Sequence, residues 1–240
     1  MSGEPDRPVA DLLNAGWAAL ARGAWEEART TFEAALSREE TAEALEGLGL
    51  AAWWLNDAPA TFVARERAYR RYRERGDNRA AARVAIPLAL DHFLRRGEPA
   101  VANGWFRRAH RLLDGLDPGP EHAMLANWEG YIALALRHDI ATARQLGARA
   151  RALALSLGSI DLEMPAQALE GLVLVHAGEV AEGMRLLDEA TAAAVAGDMT
   201  DLDAIVTTCC YLISACECVR DYDRAAQWCN RVMQISARWS

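Results

Sequence analysis

Six short segments, "RGAWEEA", "LNDAPAT", "RGEPAVA", "RHDIATA", "AGEVAEG" and "RDYDRAA", recur along this chain, each placing a turn-forming or polar residue five positions before a small one. The small residues are Ala28, Thr61, Ala102, Ala143, Gly183 and Ala225, spaced by 33, 41, 41, 40 and 42 positions. Seven residues after each stands Ala35, Ala68, Ala109, Ala150, Ala190 or Val232. Two small side chains two helical turns apart make a stripe along which a neighbouring helix can approach closely. Apolar residues recur three and four apart almost throughout, and period-2 alternation is nearly absent, so the elements carrying the stripe are helices. A period of 33–42 residues is that of stacked helical hairpins. The expected fold is all-α: an α-solenoid of about six antiparallel helical hairpins, one domain spanning residues 1–240, with 1–7 frayed.

The connections carry their own punctuation. In "RERGDNRA", "LDGLDPGPEHA", "LGSIDLEMPA" and "AGDMTDLDA" a Gly can end one helix and an Asp or Ser can cap the next. The most regular unit is "GWAALARGAWEEARTTFEAAL": Gly16 lets the first helix pack tightly, Gly23 makes the turn, and Trp25, Ala28, Phe32 and Ala35 interlock the second helix. This unit resembles a tetratricopeptide repeat. Arg65 and Gly147 stand where that pattern wants a large apolar side chain, so their hairpins are expected to pack irregularly.

Composition narrows the function classes. The chain is 52% hydrophobic and carries a net charge of −8, which argues against non-specific binding to DNA or anionic membranes by the whole surface. No leader pattern and no charge-free apolar stretch near 18 residues is evident, so a cytoplasmic protein is expected. All 26 basic residues are Arg, and 13 of them fall within residues 61–111 against 5 acids. In "RERAYRRYRERGDNRAAAR" the Arg residues interleave with Tyr69 and Tyr72. Its first reading is a solvated helix face with internal pairs such as Arg70 with Glu66 and Glu74, and its second is a site for phosphate or nucleic acid.

Catalytic signatures are missing: no phosphate-binding Gly-rich loop, no nucleophile elbow and no H-E-x-x-H. His92, His110, His122, His138 and His176 are scattered and are expected in turns or on the surface. The five cysteines lie between Cys209 and Cys229, with gaps that do not fit zinc ligation. In repeat register, Cys209, Cys216 and Cys229 take core positions, and Cys210 and Cys218 are left unexplained. No enzyme, cofactor or metal is expected.

The first helices of the hairpins are expected to line a groove. Register places Trp17, Leu50, Trp53, Asp91, Arg95, Trp128, Ile132, Leu172, His176, Ser214 and Glu217 along it. Two readings stand side by side: the Trp residues stack on an amphipathic ligand or peptide with Asp91, Arg95 and Glu217 as polar anchors, or they fill gaps between hairpins.

Taken together, "EGLGLAAWWLND", "RERAYRRYRERGD", "WFRRAHRLLDGL", "YIALALRHDIATARQLG" and "YDRAAQWCNRVM" resemble the tetratricopeptide-like region of large LuxR-type bacterial transcriptional regulators. The resemblance implies a sensor or protein-docking region, with DNA bound by a separate helix-turn-helix module that these residues do not contain. It implies a small-molecule, peptide or protein partner, and the alternative is a stand-alone scaffold docking a protein. The last helix carries apolar Val232, Met233, Ile235 and Trp239 without a capping helix after it. Such an end is expected in a fragment of a longer chain or in a self-association face.

Overall fold

Twelve helices and no strand make up the described residues, 8–236 of a computed structural model. They are α1 (Val9–Ala21), α2 (Trp25–Arg38), α3 (Ala42–Trp54), α4 (Ala58–Glu74), α5 (Asn78–Leu94), α6 (Pro99–Leu113), α7 (Pro120–Arg137), α8 (Ile140–Leu157), α9 (Ile160–His176), α10 (Val180–Ala196), α11 (Leu202–Val219) and α12 (Tyr222–Ser236). They group into two compact units, one ending at Asp114 and the other beginning at Gly115, each of three antiparallel hairpins.

The turn residue of every repeat does the same conformational work. Gly23, Asn56, Gly97, His138, Gly178 and Arg220 each adopt a positive φ between 49° and 88°, reversing the chain between the two helices of a hairpin. Gly reaches this region freely, whereas at Asn56, His138 and Arg220 a Cβ is tolerated there at a cost. Five positions on, the small residues pack as the sequence predicts. Ala28, Thr61, Ala102, Ala143 and Gly183 are buried, as are Ala35, Ala68, Ala109, Ala150 and Ala190. Ala225 and Val232, on the last helix, are half-buried.

Within the first unit Phe32 is the clearest interlock. Its ring, fully buried on α2, rests on Gly16 of α1 and Gly47 of α3, where an added Cβ would meet it at 2.6 and 2.2 Å. The expected irregularity at Arg65 does not arise. Its guanidinium lies buried on α4 and donates to Asp91 Oδ2 on α5 at 2.5 Å, while Gly49 on α3 leaves room for its stem. In the second unit, Gly147 is matched by Leu169. That fully buried side chain of α9 lies 3.7 Å from where a Gly147 Cβ would stand and 2.9 Å from a Gly130 Cβ, so bulk missing from α8 comes from the next hairpin. At Gly171 and Gly183 the backbones of α9 and α10 touch, each glycine's missing side chain replaced by the other's carbonyl oxygen.

Of the four connections predicted to hold an Asp or Ser cap, two do, through Asp77 and Asp201, and Asp57 and Asp139 cap the second helices of their hairpins in the same way. Asp57, Asp77, Asp139 and Asp201 accept from the N–H three residues on at 3.0–3.2 Å. Ser159 makes no such bond, and α7 starts instead with the Gly119 N–H donating to His122 Nδ1. α11 is the one described helix long and apolar enough, by length and composition, to cross a membrane. It carries Asp203 and Glu217 and packs against α9 and α10, as a core helix does.

Two cysteine expectations are corrected. Cys216 is fully buried, but Cys209 is half-buried and Cys229 is exposed, because no described helix follows α12 to cover that face. Burial pushes the Cys209 thiol up to about 11 and raises that of Cys216, while the exposed Cys210 is raised by partial desolvation and by Asp203, so no neighbouring charge activates these three as thiolates. Of the terminal apolar residues, Val232 is half-buried and Met233 exposed. The Ile235 side chain and Trp239 lie outside the described residues.

Candidate ligand groove

The predicted groove residues separate into three environments. Trp17 is a packing residue: its ring meets Phe32 edge-on at 5.5 Å and rests against the α1–α3 core. Ile132 and Leu172 are likewise buried, and Leu50 packs on the first unit's core. His176 and Glu217 are exposed at the ends of α9 and α11, and Ser214 is half-buried.

Trp53, Asp91 and Arg95 form a closed polar knot rather than open anchors. Asp91, 2% exposed, takes Arg65 on one oxygen and lies 3.6 Å from Arg95 Nε on the other, and the Trp53 side chain donates to it. Arg95 donates back to the Trp53 carbonyl at 3.3 Å and sits 5.4 Å over its ring. Burial pushes the Asp91 carboxyl above its ordinary range, against the pull of the two guanidinium groups. A buried pair of this kind fixes which hairpin meets which, because either partner alone would be a stranded charge.

His92 corrects another expectation. It is 5% exposed, its Nδ1 lies 2.7 Å from Glu98, and Phe62 packs edge-on against its ring, so it links α5 to α4 and the start of α6. His110, His138 and His176 are exposed as predicted.

Trp128 is the predicted residue that lines an opening. On the second unit the first helices α7, α9 and α11 lie side by side. Between them is a narrow cleft of about 60 Å³ lined by Asn127, Trp128, Leu162, Pro165 and Thr207, with Asp161, Asp201 and Asp203 also on its wall. Trp128 is the aromatic residue of this lining, and two more rings pack against it: Trp128 meets Tyr131 at 6.0 Å and Tyr211 at 6.3 Å, both edge-on, and Tyr131 stacks on Tyr211 at 5.1 Å. Asn127, 6% exposed, donates from Nδ2 to the Tyr211 hydroxyl at 3.2 Å, and its buried Oδ1 has no partner. Asp161 ties the wall together by accepting from the Thr200 N–H and hydroxyl, both at 2.8 Å, and from the Asp201 N–H at 3.1 Å. An unpaired buried acceptor among carboxylates suits an N–H-bearing cationic head, and the ring cluster suits an apolar body beside it.

Sequence reasoning missed Asn127, Tyr131 and Tyr211. Asn127 and Tyr131 flank Trp128 on one helix, and a search of its neighbouring turns would have found them. Tyr211 is 84 residues away and sits among the cysteines that drew attention to that stretch.

No family model matches the chain, and no curated protein matches it either. Solved structures do. The apo form of the quorum sensor NprR from B. thuringiensis superposes with a TM-score of 0.63 at 12% identity, over 95% of this chain and 76% of that one. BtubC (BKLC) from P. vanneervenii gives 0.56 at 17%, over 97% and 92%. The chain is an all-α helical-repeat protein. At these identities the likeness is one of fold, and within it the tetratricopeptide-like rhythm of small residue, turn and small residue holds through the first five hairpins.

Proposed function

We propose that this chain is a non-catalytic sensor or interaction domain that binds a small molecule or peptide through the first-helix face of its second unit. The observation that carries this reading is the unpartnered, buried Oδ1 of Asn127, a residue that lines a cleft together with Trp128 and three carboxylates. The cleft takes a head group; the body of the ligand lies along Trp128 and Tyr131. Its chemistry favours a free amine or guanidinium on an apolar body, as in a short peptide with its N-terminus free. NprR, of similar fold, is a quorum sensor, which supports the sensing half of the reading. The LuxR-type setting rests on the sequence texture described above: a cytoplasmic regulator in which a separate helix-turn-helix module reads DNA.

The test is a thermal-shift screen of short unblocked peptides, with each hit repeated as its N-acetylated form, since a bound ligand raises apparent stability by mass action. Hits should lose affinity on acetylation and in Asn127→Ala and Trp128→Ala variants that keep their helical circular dichroism. Binding that survives both substitutions would place the ligand elsewhere.

A further inference from the structure

A second cleft, on the first unit, has the opposite chemistry. It measures about 570 Å³ and is lined by Tyr69 and Arg73 of α4 and by Val101, Gly104, Trp105, Arg108, Arg111 and Leu112 of α6. Its volume lies within the range of small-molecule sites. No carboxylate is among its lining residues, in a chain that carries 34 acids against 26 Arg.

Among the described residues these three arginines hold no carboxylate, which they share with Arg70, Arg96 and Arg107 of this unit but not with most arginines of α4 and α5. Arg67 and Arg71 pair with Glu40, Arg75 with Glu43, Arg83 with Glu46 and Arg65 with Asp91. Arg73 instead donates to the neutral Asn78 amide at 2.6 Å. Arg108 donates to the Tyr69 hydroxyl at 3.1 Å and lies 5.6 and 5.7 Å over the Tyr69 and Trp105 rings. Arg111 makes no ion pair among the described residues. Three guanidinium groups without carboxylates, converging on one opening, form a local positive potential that an anion would neutralise, and their planar forks match phosphate oxygens.

The floor of the cleft supplies the rest. A Cβ built on Gly104 meets nothing within 4 Å, so the helix surface there is open. Val101, 43% exposed, and Trp105 flank it, and Trp105 stands edge-on to Tyr69 at 4.9 Å. A flat apolar ring fits this floor, with its anionic group toward Arg73 and Arg111. A nucleic-acid strand fits less well. Its phosphates need a continuing basic track, and of the Arg residues along α4 beside the cleft, Arg67, Arg71 and Arg75 are already paired with Glu40 and Glu43, which leaves Arg70 as a single step rather than a track.

We infer that the cleft between α4 and α6 is a binding site for a small phosphate-bearing molecule with a planar ring, of the nucleotide class. The full chain would be titrated with ADP, adenosine and inorganic pyrophosphate, and with a 20-nucleotide single strand, following the heat of binding and the total tryptophan fluorescence. ADP should bind, with adenosine and pyrophosphate each at least about tenfold weaker, as expected if ring and charge both contribute. Arg111→Gln should weaken ADP by about tenfold, and Gly104→Leu, whose Cβ meets nothing within 4 Å and whose side chain extends over the floor, should abolish binding while helical content is kept. Adenosine or pyrophosphate binding as well as ADP would overturn the proposal. So would ADP binding unchanged in Gly104→Leu, or a single strand that binds where ADP does not.

Discussion

The two units use the same hairpin plan and close it by different means. The first, residues 1–114, carries 17 Arg against 17 acids; the second carries 9 against 17. In the first, successive hairpins are tied by charge, Arg29 to Asp57, Arg65 to Asp91 and Arg83 to Glu46, and the second hairpin is braced internally by Arg67 and Arg71 on Glu40, just before α3, and by Arg75 on Glu43. In the second, ion pairs also join successive hairpins, Arg144 to Glu179, Arg151 to Glu170 and Arg224 to Asp188, but none is buried as Arg65–Asp91 is, and close packing carries more: backbone touches backbone at Gly171 and Gly183, and Leu169 fills the gap above Gly130 and Gly147. Balancing charge inside the first unit leaves three Arg residues in one cleft. Closing the second with small residues leaves its surplus acid outside, three of those acids on the groove wall. The two clefts accordingly present charge of opposite sign.

The comparison breaks most decisively at Asp91. Asp91→Ala strands the buried Arg65 and should cost about 3–5 kcal/mol by chemical denaturation. The double variant Arg65→Leu with Asp91→Leu should recover most of that loss. If the single variant is tolerated, the first unit is not held by charge. Next comes a matched pair of glycines. Gly171→Ala pushes a Cβ to 2.7 Å from the Gly183 carbonyl oxygen and should cost about 2–3 kcal/mol, whereas Gly104→Ala in the first unit should stabilise by up to about 1 kcal/mol. Equal effects would erase the distinction.

Smaller effects sharpen it. His138→Gly relieves a left-handed residue at the turn of α7 and α8 and should raise stability by less than about 1 kcal/mol, because part of the relief is offset by the freer unfolded chain. The cysteines give the smallest signal. Cys218 and Cys229 should label with maleimide in the native protein, and Cys216 after unfolding. Because the Cys209 thiol is raised from 9.0 to about 11 by burial, its contribution to stability is complete below pH 9. It is lost as pH climbs through 11, since the unfolded state ionises first. A melting temperature insensitive to Cys209→Ala between pH 8 and 11 would remove that contribution.

What could be read from the sequence was what the chain decides locally. The turn residue and the small residue five places on are close in sequence, and both behave as predicted in the first five hairpins. What could not be read were compensations between distant positions. Arg65 looked like a flaw until Asp91, 26 residues on, supplied its partner, and Gly147 looked like a hole until Leu169 filled it. The sequence predicts internal pairs on the Arg-rich helix such as Arg70 with Glu66 and Glu74, and one such pair forms, with Arg71 rather than Arg70 on Glu74. The helix's other pairs run mostly to glutamates in or just before α3, and Arg70 makes none of them. The sites followed the same rule: Trp128 was legible as an aromatic on a groove helix, but the cleft beside it needs Tyr211, and the basic cleft needs Trp105 and Arg108 brought against Tyr69.

Phe32 bears on how such a protein can be cut and rebuilt. The sequence repeat ends with α2, yet the ring that completes it is seated half in its own hairpin and half on Gly47 of the next. The physical module therefore straddles the boundary that the period marks. Excising the first hairpin between Arg38 and Glu39 would open a ring-sized void over Gly47, while a graft carrying residues 16–47 intact would bring its own seat with it.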